Sequence, residues 1–111
     1  MYEPTPSTFS VLQKNTSGLR DVILRNCGVG GEAGEIDFMV DSGSANHVTD
    51  SGKGGITIPV VSLDDDISHP VSFIKMDIEG YEVKALRGAK NHIINDKPQL
   101  VLTCNNKRYN I

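Results

Sequence analysis

Lys75-Met76-Asp77-Ile78-Glu79-Gly80 places two carboxylates, Asp77 and Glu79, just beyond a mostly apolar run from Val71 to Met76. A carboxylate emerging from the carboxyl end of a buried strand can accept a proton from an alcohol or amine, orient a hydroxyl, or hold a divalent cation. Ligand crevices in open α/β sheets lie outside those strand ends. The same acids also suit the positive N-terminus of a helix beginning near Tyr81, an effect of roughly 0.3 to 1 kcal/mol each. From the spacing alone, that plainer role comes first. Glu3, in Tyr2-Glu3-Pro4, is a third acid before a turn into a helix, where nucleotide-binding folds place the group that hydrogen-bonds ribose hydroxyls. As an isolated residue it reads first as a surface or terminal acid, since most glutamates are exposed.

Other arrangements carry less. Gly28-Val29-Gly30-Gly31-Glu32-Ala33 satisfies the loose dinucleotide pattern G-x-G-x-x-G/A, but that pattern must open a helix, and Glu35 to Val40 alternates with the period of a strand. A glycine-rich turn feeding a hairpin is the better reading. His47, His69 and His92 share no metal-ligand spacing with one another or with the cysteines. They read as a loop-tip residue, a turn residue and a solvent-facing helix residue. Cys27 and Cys104 sit at the ends of apolar runs and read as buried free thiols rather than a disulfide. A divalent-metal site built from Asp77, Glu79 and Asp64 or Asp65 is a remote alternative whose geometry nothing fixes, and no metal is expected.

The elements that must hold these residues follow from periodicity. Thr5-Pro6 resembles an N-cap and first helical position, and Phe9 and Leu12 continue a short helix stopped near Gly18. Residues 21 to 27, with Val22-Ile23-Leu24, read as a strand. Ile36, Phe38 and Val40 alternate with Asp37 and Met39, and Ile56, Ile58 and Val60 with Thr57, Pro59 and Val61, which predicts a wide hairpin with a mobile tip from Asp41 to Gly55. Pro59 lacks a donor, so the second arm is expected at an edge. Val71 to Met76 predicts a buried strand. Val83, Leu86, Ala89 and Ile93 predict one helix stopped at Lys97-Pro98, and Leu100-Val101-Leu102 another buried strand. Strand, helix, strand in this pattern implies a βαβ unit in a parallel sheet.

The 111 residues, 38% hydrophobic, suffice for one small α/β domain. A net charge of -3, from 14 acidic against 11 basic residues, offers no basic field for phosphate backbones, so nucleic acid is not an expected partner. No apolar run approaches the roughly 20 residues of a membrane span, and no signal-like start is seen, which makes the cytoplasm the default address.

Several segments, taken together, resemble the FkbM family of class I methyltransferases. Tyr2-Glu3-Pro4-Thr5-Pro6 with Leu12 and Asn15 is similar to the family's turn after its second strand. Asn26-Cys27-Gly28-Val29-Gly30 with Gly34-Glu35-Ile36-Asp37-Phe38 is similar to its third strand and hairpin. Val60-Val61-Ser62-Leu63-Asp64-Asp65 and Ile74 to Glu82, through Leu86-Arg87-Gly88-Ala89, match its most specific signature in order and spacing. The resemblance implies a Rossmann-like, mostly parallel sheet with an inserted antiparallel hairpin, and methyl transfer from S-adenosylmethionine to an oxygen of a small-molecule acceptor, a sugar or natural product. It implies that Glu3 binds the ribose, that Asn26, Cys27 and Gly28 border the adenine, and that Asp77 and Glu79 face the methyl donor and acceptor, Asp77 being the first choice for base or acceptor positioning.

Measured against the family, the first strand and the glycine loop for the methionine part of the cofactor belong before Met1. Residues 1 to 111 are therefore expected to form a single partial domain, running from the end of the second strand to the fifth, that alone binds cofactor weakly or not at all. In the family's order 3-2-1-4-5 the first strand is central, and a sheet without it has a gap of roughly 9 to 10 Å. A non-catalytic module that self-associates through exposed sheet edges is the alternative.

Overall fold

The computed structural model describes residues 1–39, 47–48, 55–78 and 80–103. Helix α1, Pro6–Thr16, begins with proline at its first turn, where the missing N–H costs nothing. The Thr5 hydroxyl does not cap it; the Thr5 amide instead donates to Glu3 Oε1 at 2.8 Å. The strand expected over residues 21 to 27 shrinks to one parallel bridge, Tyr2 to Arg25, flanked by backbone bonds from Arg25 N to Met1 O and from Glu3 N to Arg25 O. Asp21, with a φ of 58°, turns the chain just before it. Regular pairing resumes only at β1, Gly28–Val29.

Beyond β1 the glycine-rich turn leads into a strand, β2 (Gly34–Met39), and not into a helix, as expected. A two-residue strand, β3 (His47–Val48), pairs antiparallel with Phe38 and Met39. It falls in the stretch expected as a loop tip; the other residues of that stretch, apart from Gly55, lie outside the described set. The second hairpin arm, β4 (Ile56–Val61), pairs antiparallel with β2, with Ile36 opposite Ile58 and Phe38 opposite Ile56. β4 is not an edge. The sheet order is β1-β4-β2-β3, and β1 runs parallel to β4 at Val60 and Val61 only, beyond Pro59.

Ser62 starts the one-turn helix α2 (Leu63–Asp66) with a reciprocal cap: its side-chain oxygen accepts from the Asp65 amide at 3.2 Å and its hydroxyl donates to Asp65 Oδ2 at 2.8 Å. Strand β5 (Phe73–Met76) follows, its Ile74 and Met76 pointing into the core. The single helix expected next is two, α3 (Glu82–Arg87) and α4 (Lys90–Asp96), broken at Gly88 and Ala89. A Cβ at Gly88 would collide with the carbonyl oxygen of Gly30, so α3 ends where the chain must pass against the glycine turn. Of the expected core face, Ala89 is fully buried, Leu86 and Ile93 are half-buried, and Val83 is exposed.

Lys97, at φ 51°, stops α4, and β6 (Gln99–Leu102) pairs parallel with β5. Leu100 and Val101 are exposed, against the expectation of full burial. The sheet is therefore less parallel than expected: among the described residues parallel pairing is confined to β5 with β6, β1 with β4 and the Tyr2–Arg25 bridge, and β5 and β6 form a sheet of their own. One core cluster, Leu63, Ile74, Met76, Ala85 and Ala89, lies under α2, α3 and β5, and Tyr2 packs on it. Among the described residues no helix is long and apolar enough to cross a membrane.

Candidate active site

The Tyr2–Arg25 bridge brings the first two expected site segments together. Asn26 Nδ2 donates to the carbonyl oxygens of Glu3, at 2.8 Å, and Pro4, at 3.2 Å. Both amide hydrogens are thus spent on fastening the Glu3-Pro4 turn, and among the described residues Oδ1 remains an unengaged acceptor. Glu3 is half-buried and receives the Thr5 amide on Oε1, which preorients the carboxylate and leaves Oε2 for another donor. Cys27 is 7% exposed and its thiol is pushed up in pKa, first by burial and then by the Asp66 charge. It serves as packing rather than as a donor. Gly28, also buried, contributes backbone only.

The floor of this region is polar. Tyr2 donates its hydroxyl to Asp66 Oδ2 at 2.6 Å, and Arg25 Nε reaches the same oxygen at 3.3 Å. Burial, reinforced by the Asp66 hydrogen bond, raises the Tyr2 phenol far above its ordinary range, so it stays a donor at any physiological pH. α2 is thereby tied to the strand-end segment that carries Glu3 and Asn26.

Asp77 is exposed at the carboxyl end of β5, as expected, and no hydrogen bond engages it among the described residues. Glu79 lies outside the described residues. The turn between them and α3 depends on Gly80, whose φ of 92° only glycine adopts readily, and on a bond from Tyr81 N to Ile78 O at 3.2 Å. Tyr2 and Met76, which precede Glu3 and Asp77, share the same core cluster. No described contact joins Asp77 directly to the Glu3–Asn26 group.

A residue that sequence reasoning missed is Glu82. It is 6% exposed, and its Oε1 accepts from the Ile78 amide at 3.2 Å, so a buried carboxylate braces the loop that presents Asp77. The available signal was an acid in the first turn of a helix, just past a glycine. Asp64 and Asp65, the remote metal candidates, are otherwise engaged. Asp64 accepts from the Asn91 and His92 amides at the start of α4, and Asp65 completes the Ser62 cap. No cluster of three or more potential metal ligands occurs among the described residues.

His92 is not solvent-facing. Its Nδ1 lies 2.6 Å from Asp96 Oδ2 and its Nε2 3.0 Å from Ile67 O, so both ring nitrogens meet acceptors. That arrangement suits the imidazolium, and the Asp96 hydrogen bond raises the His92 pKa despite burial.

The described chain is an α/β fold with mixed sheets, in which Asp77 follows the carboxyl end of β5, Glu3 follows the Tyr2–Arg25 bridge, and the glycine-rich turn opens no helix. The sequence matches the methyltransferase FkbM domain over residues 1–109, and the chain belongs to that family. It is similar to the hexuronic acid methyltransferase AglP of Haloferax volcanii, 29% identical over 97 residues that make up 81% of this chain and 40% of the relative. It also superposes on the crystal structure of methyltransferase FkbM from Methylobacillus flagellatus with a TM-score of 0.68 and 28% identity, over 92% of this chain and 24% of that one. The chain spans less than half the length of either.

Proposed function

We propose that this chain carries the ribose-binding and acceptor-positioning strand ends of an S-adenosylmethionine-dependent O-methyltransferase acting on a sugar or natural-product hydroxyl. The observation that supports it is the fastened Glu3–Asn26 pair beside a core that also seats the strand bearing Asp77. The residues present fit a nucleoside: Glu3 keeps one carboxylate oxygen for a ribose hydroxyl, and Asn26 keeps a carbonyl oxygen at the turn expected to border the adenine. Family membership, and a relative described as acting on a hexuronic acid, support methyl transfer to a sugar.

The bound cofactor would supply an already activated methyl group, so the protein's task is chiefly orientation. Asp77, exposed and unpaired among the described residues, is placed to accept the proton of an acceptor hydroxyl or to hold that hydroxyl by hydrogen bonding. Glu82 keeps the Asp77 loop in place, and Gly80 permits its turn. Glu79 shares the donor- and acceptor-facing role that the family resemblance assigns.

Calorimetry with S-adenosylhomocysteine, followed by methyl transfer from labelled S-adenosylmethionine to simple sugars, tests this reading. Glu3→Gln is expected to weaken nucleoside binding by about tenfold, the equivalent of one charge-assisted hydrogen bond of about 1.4 kcal/mol. Asp77→Asn is expected to lower turnover while leaving that affinity intact. Unchanged affinity in the first variant and unchanged turnover in the second would remove the assignment. The 111-residue polypeptide alone is expected to bind more weakly than micromolar, because among the described residues no strand bridges Tyr2 and β5. A peptide supplying a strand and glycine loop should tighten it.

A further inference from the structure

One helical turn past the Asp77 loop, α3 and the chain from Gly31 to Ile36 enclose an open groove of about 490 Å³. Its two sides carry opposite charge. Lys84 and Arg87, three residues apart and so on one face of α3, form one wall, and Glu32 and Glu35 lie on the other, with Ile36 contributing apolar surface. Lys84 Nζ is 4.8 Å from the centre of the Tyr81 ring, which holds the ammonium at the rim. The walls do not neutralise each other. The ion pairs among the described residues are Arg25 with Asp66 and His92 with Asp96, so neither Lys84 nor Arg87 closes on a glutamate across the groove.

A simple anion in this groove would meet the two glutamates, and a simple cation the lysine and arginine. A molecule presenting a carboxylate to one wall and several hydroxyls to the other satisfies both, since a guanidinium grips a carboxylate with two parallel bonds while glutamates accept from vicinal hydroxyls. We propose that this groove, which Asp77 does not line, is a subsite for the acceptor and that it takes a sugar acid: Arg87 and Lys84 hold its carboxylate, Glu32 and Glu35 its hydroxyls, and Ile36 lies beneath its C–H face. The volume lies within the range of about 300–1,000 Å³ of small-molecule sites and accommodates one or two sugar rings. This assignment deepens the methyl-transfer reading, but binding itself does not depend on it.

Titration of the isotope-labelled chain with glucuronate, glucose and acetate, followed by amide chemical shifts, tests the proposal. Glucuronate is expected to shift residues 31–36 and 81–87, and glucose the same set with at least about fivefold lower affinity, a difference of about 1 kcal/mol for an exposed charge pair. Arg87→Gln, at an exposed position, should weaken glucuronate and leave glucose unchanged, and adding Lys84→Gln should bring glucuronate to the level of glucose. Glu32→Gln with Glu35→Gln should weaken both. Acetate shifting these residues as strongly as glucuronate would overturn the proposal, as would undiminished glucuronate affinity in a Lys84→Gln, Arg87→Gln double variant. Glucuronate binding without methyl transfer to any sugar, once the strand-and-glycine-loop peptide has restored cofactor binding, would sink the methyl-transfer reading alone. Methyl transfer with an unaltered glucuronate KM in Arg87→Gln would sink the groove alone.

Discussion

His92 shows how two bonds decide a side chain's state. Its nitrogens face the Asp96 carboxylate and the Ile67 carbonyl, and the Asp64 carboxylate, bonded to its backbone amide, adds negative charge. The folded pKa of His92 is raised above 6.5, so its contribution to stability is full below 6.5 and is lost as pH rises through the folded value. The folded pKa of Asp96 is lowered below 3.8, chiefly by His92 and then by the Val71 amide, so its contribution is full above 3.8 and is lost as pH falls through that lowered value. Thermal unfolding should therefore show a plateau between these limits and a decline on the alkaline side. His92→Gln should flatten that decline, and an unchanged profile would show that the ring does not titrate in this contact. At Glu82, replacement by alanine strands the Ile78 amide and is expected to cost about 1–3 kcal/mol in urea unfolding, with Gln, which keeps an acceptor, costing less. Each role had only a weak signal in the sequence. The Asp77-Ile78-Glu79-Gly80 segment points to Asp77 and Glu79 through strand-end chemistry, whereas Glu82 is distinguished by burial, which no spacing reveals. The i,i+4 interval of His92 and Asp96 was the signal that went unread.

At the scale of elements, alternation located the hairpin well: Ile36 and Ile58 face each other across β2 and β4, where their period had put them. What it did not show was which strand lies beside β4 on its other flank. Pro59 suggested an edge, but β1 needs only the two residues beyond the proline, and that depends on where a chain some thirty residues earlier happens to pass. The break between α3 and α4 was hidden for a similar reason. Helical period runs through Gly88 without interruption, and only the nearby Gly30 carbonyl explains the interruption. Gly88→Ala is expected to cost about 1–3 kcal/mol through overpacking, measured by urea unfolding. A neutral result would mean that the glycine turn and α3 separate without penalty.

On the scale of the whole molecule, the legible part was the class of fold and the family, because both are written in short motifs. The family match and the structural superposition agree with that reading. Sheet continuity was less legible, since it is set by long-range pairing. Among the described residues β5 is paired on one side only, and Phe73 on β5 and Leu100 and Val101 on β6 expose apolar surface. Unpaired strand edges with apolar neighbours recruit further strands. Sedimentation of the 111-residue polypeptide over a wide concentration range is expected to show mass rising with concentration, and a strictly monomeric species would remove the edge-pairing alternative.

Asp64 belongs to α2, yet it holds the first free amides of α4, whose own N-cap, Ala89, has no side chain able to do so. A four-residue helix and a seven-residue helix are each too short to persist alone. Joined by that carboxylate, they open as one cooperative unit: in deuterium the amide protons of Asn91 and His92 should be replaced at the rate at which α2 unravels, so a residue twenty-seven positions upstream acts as the clock for the second helix.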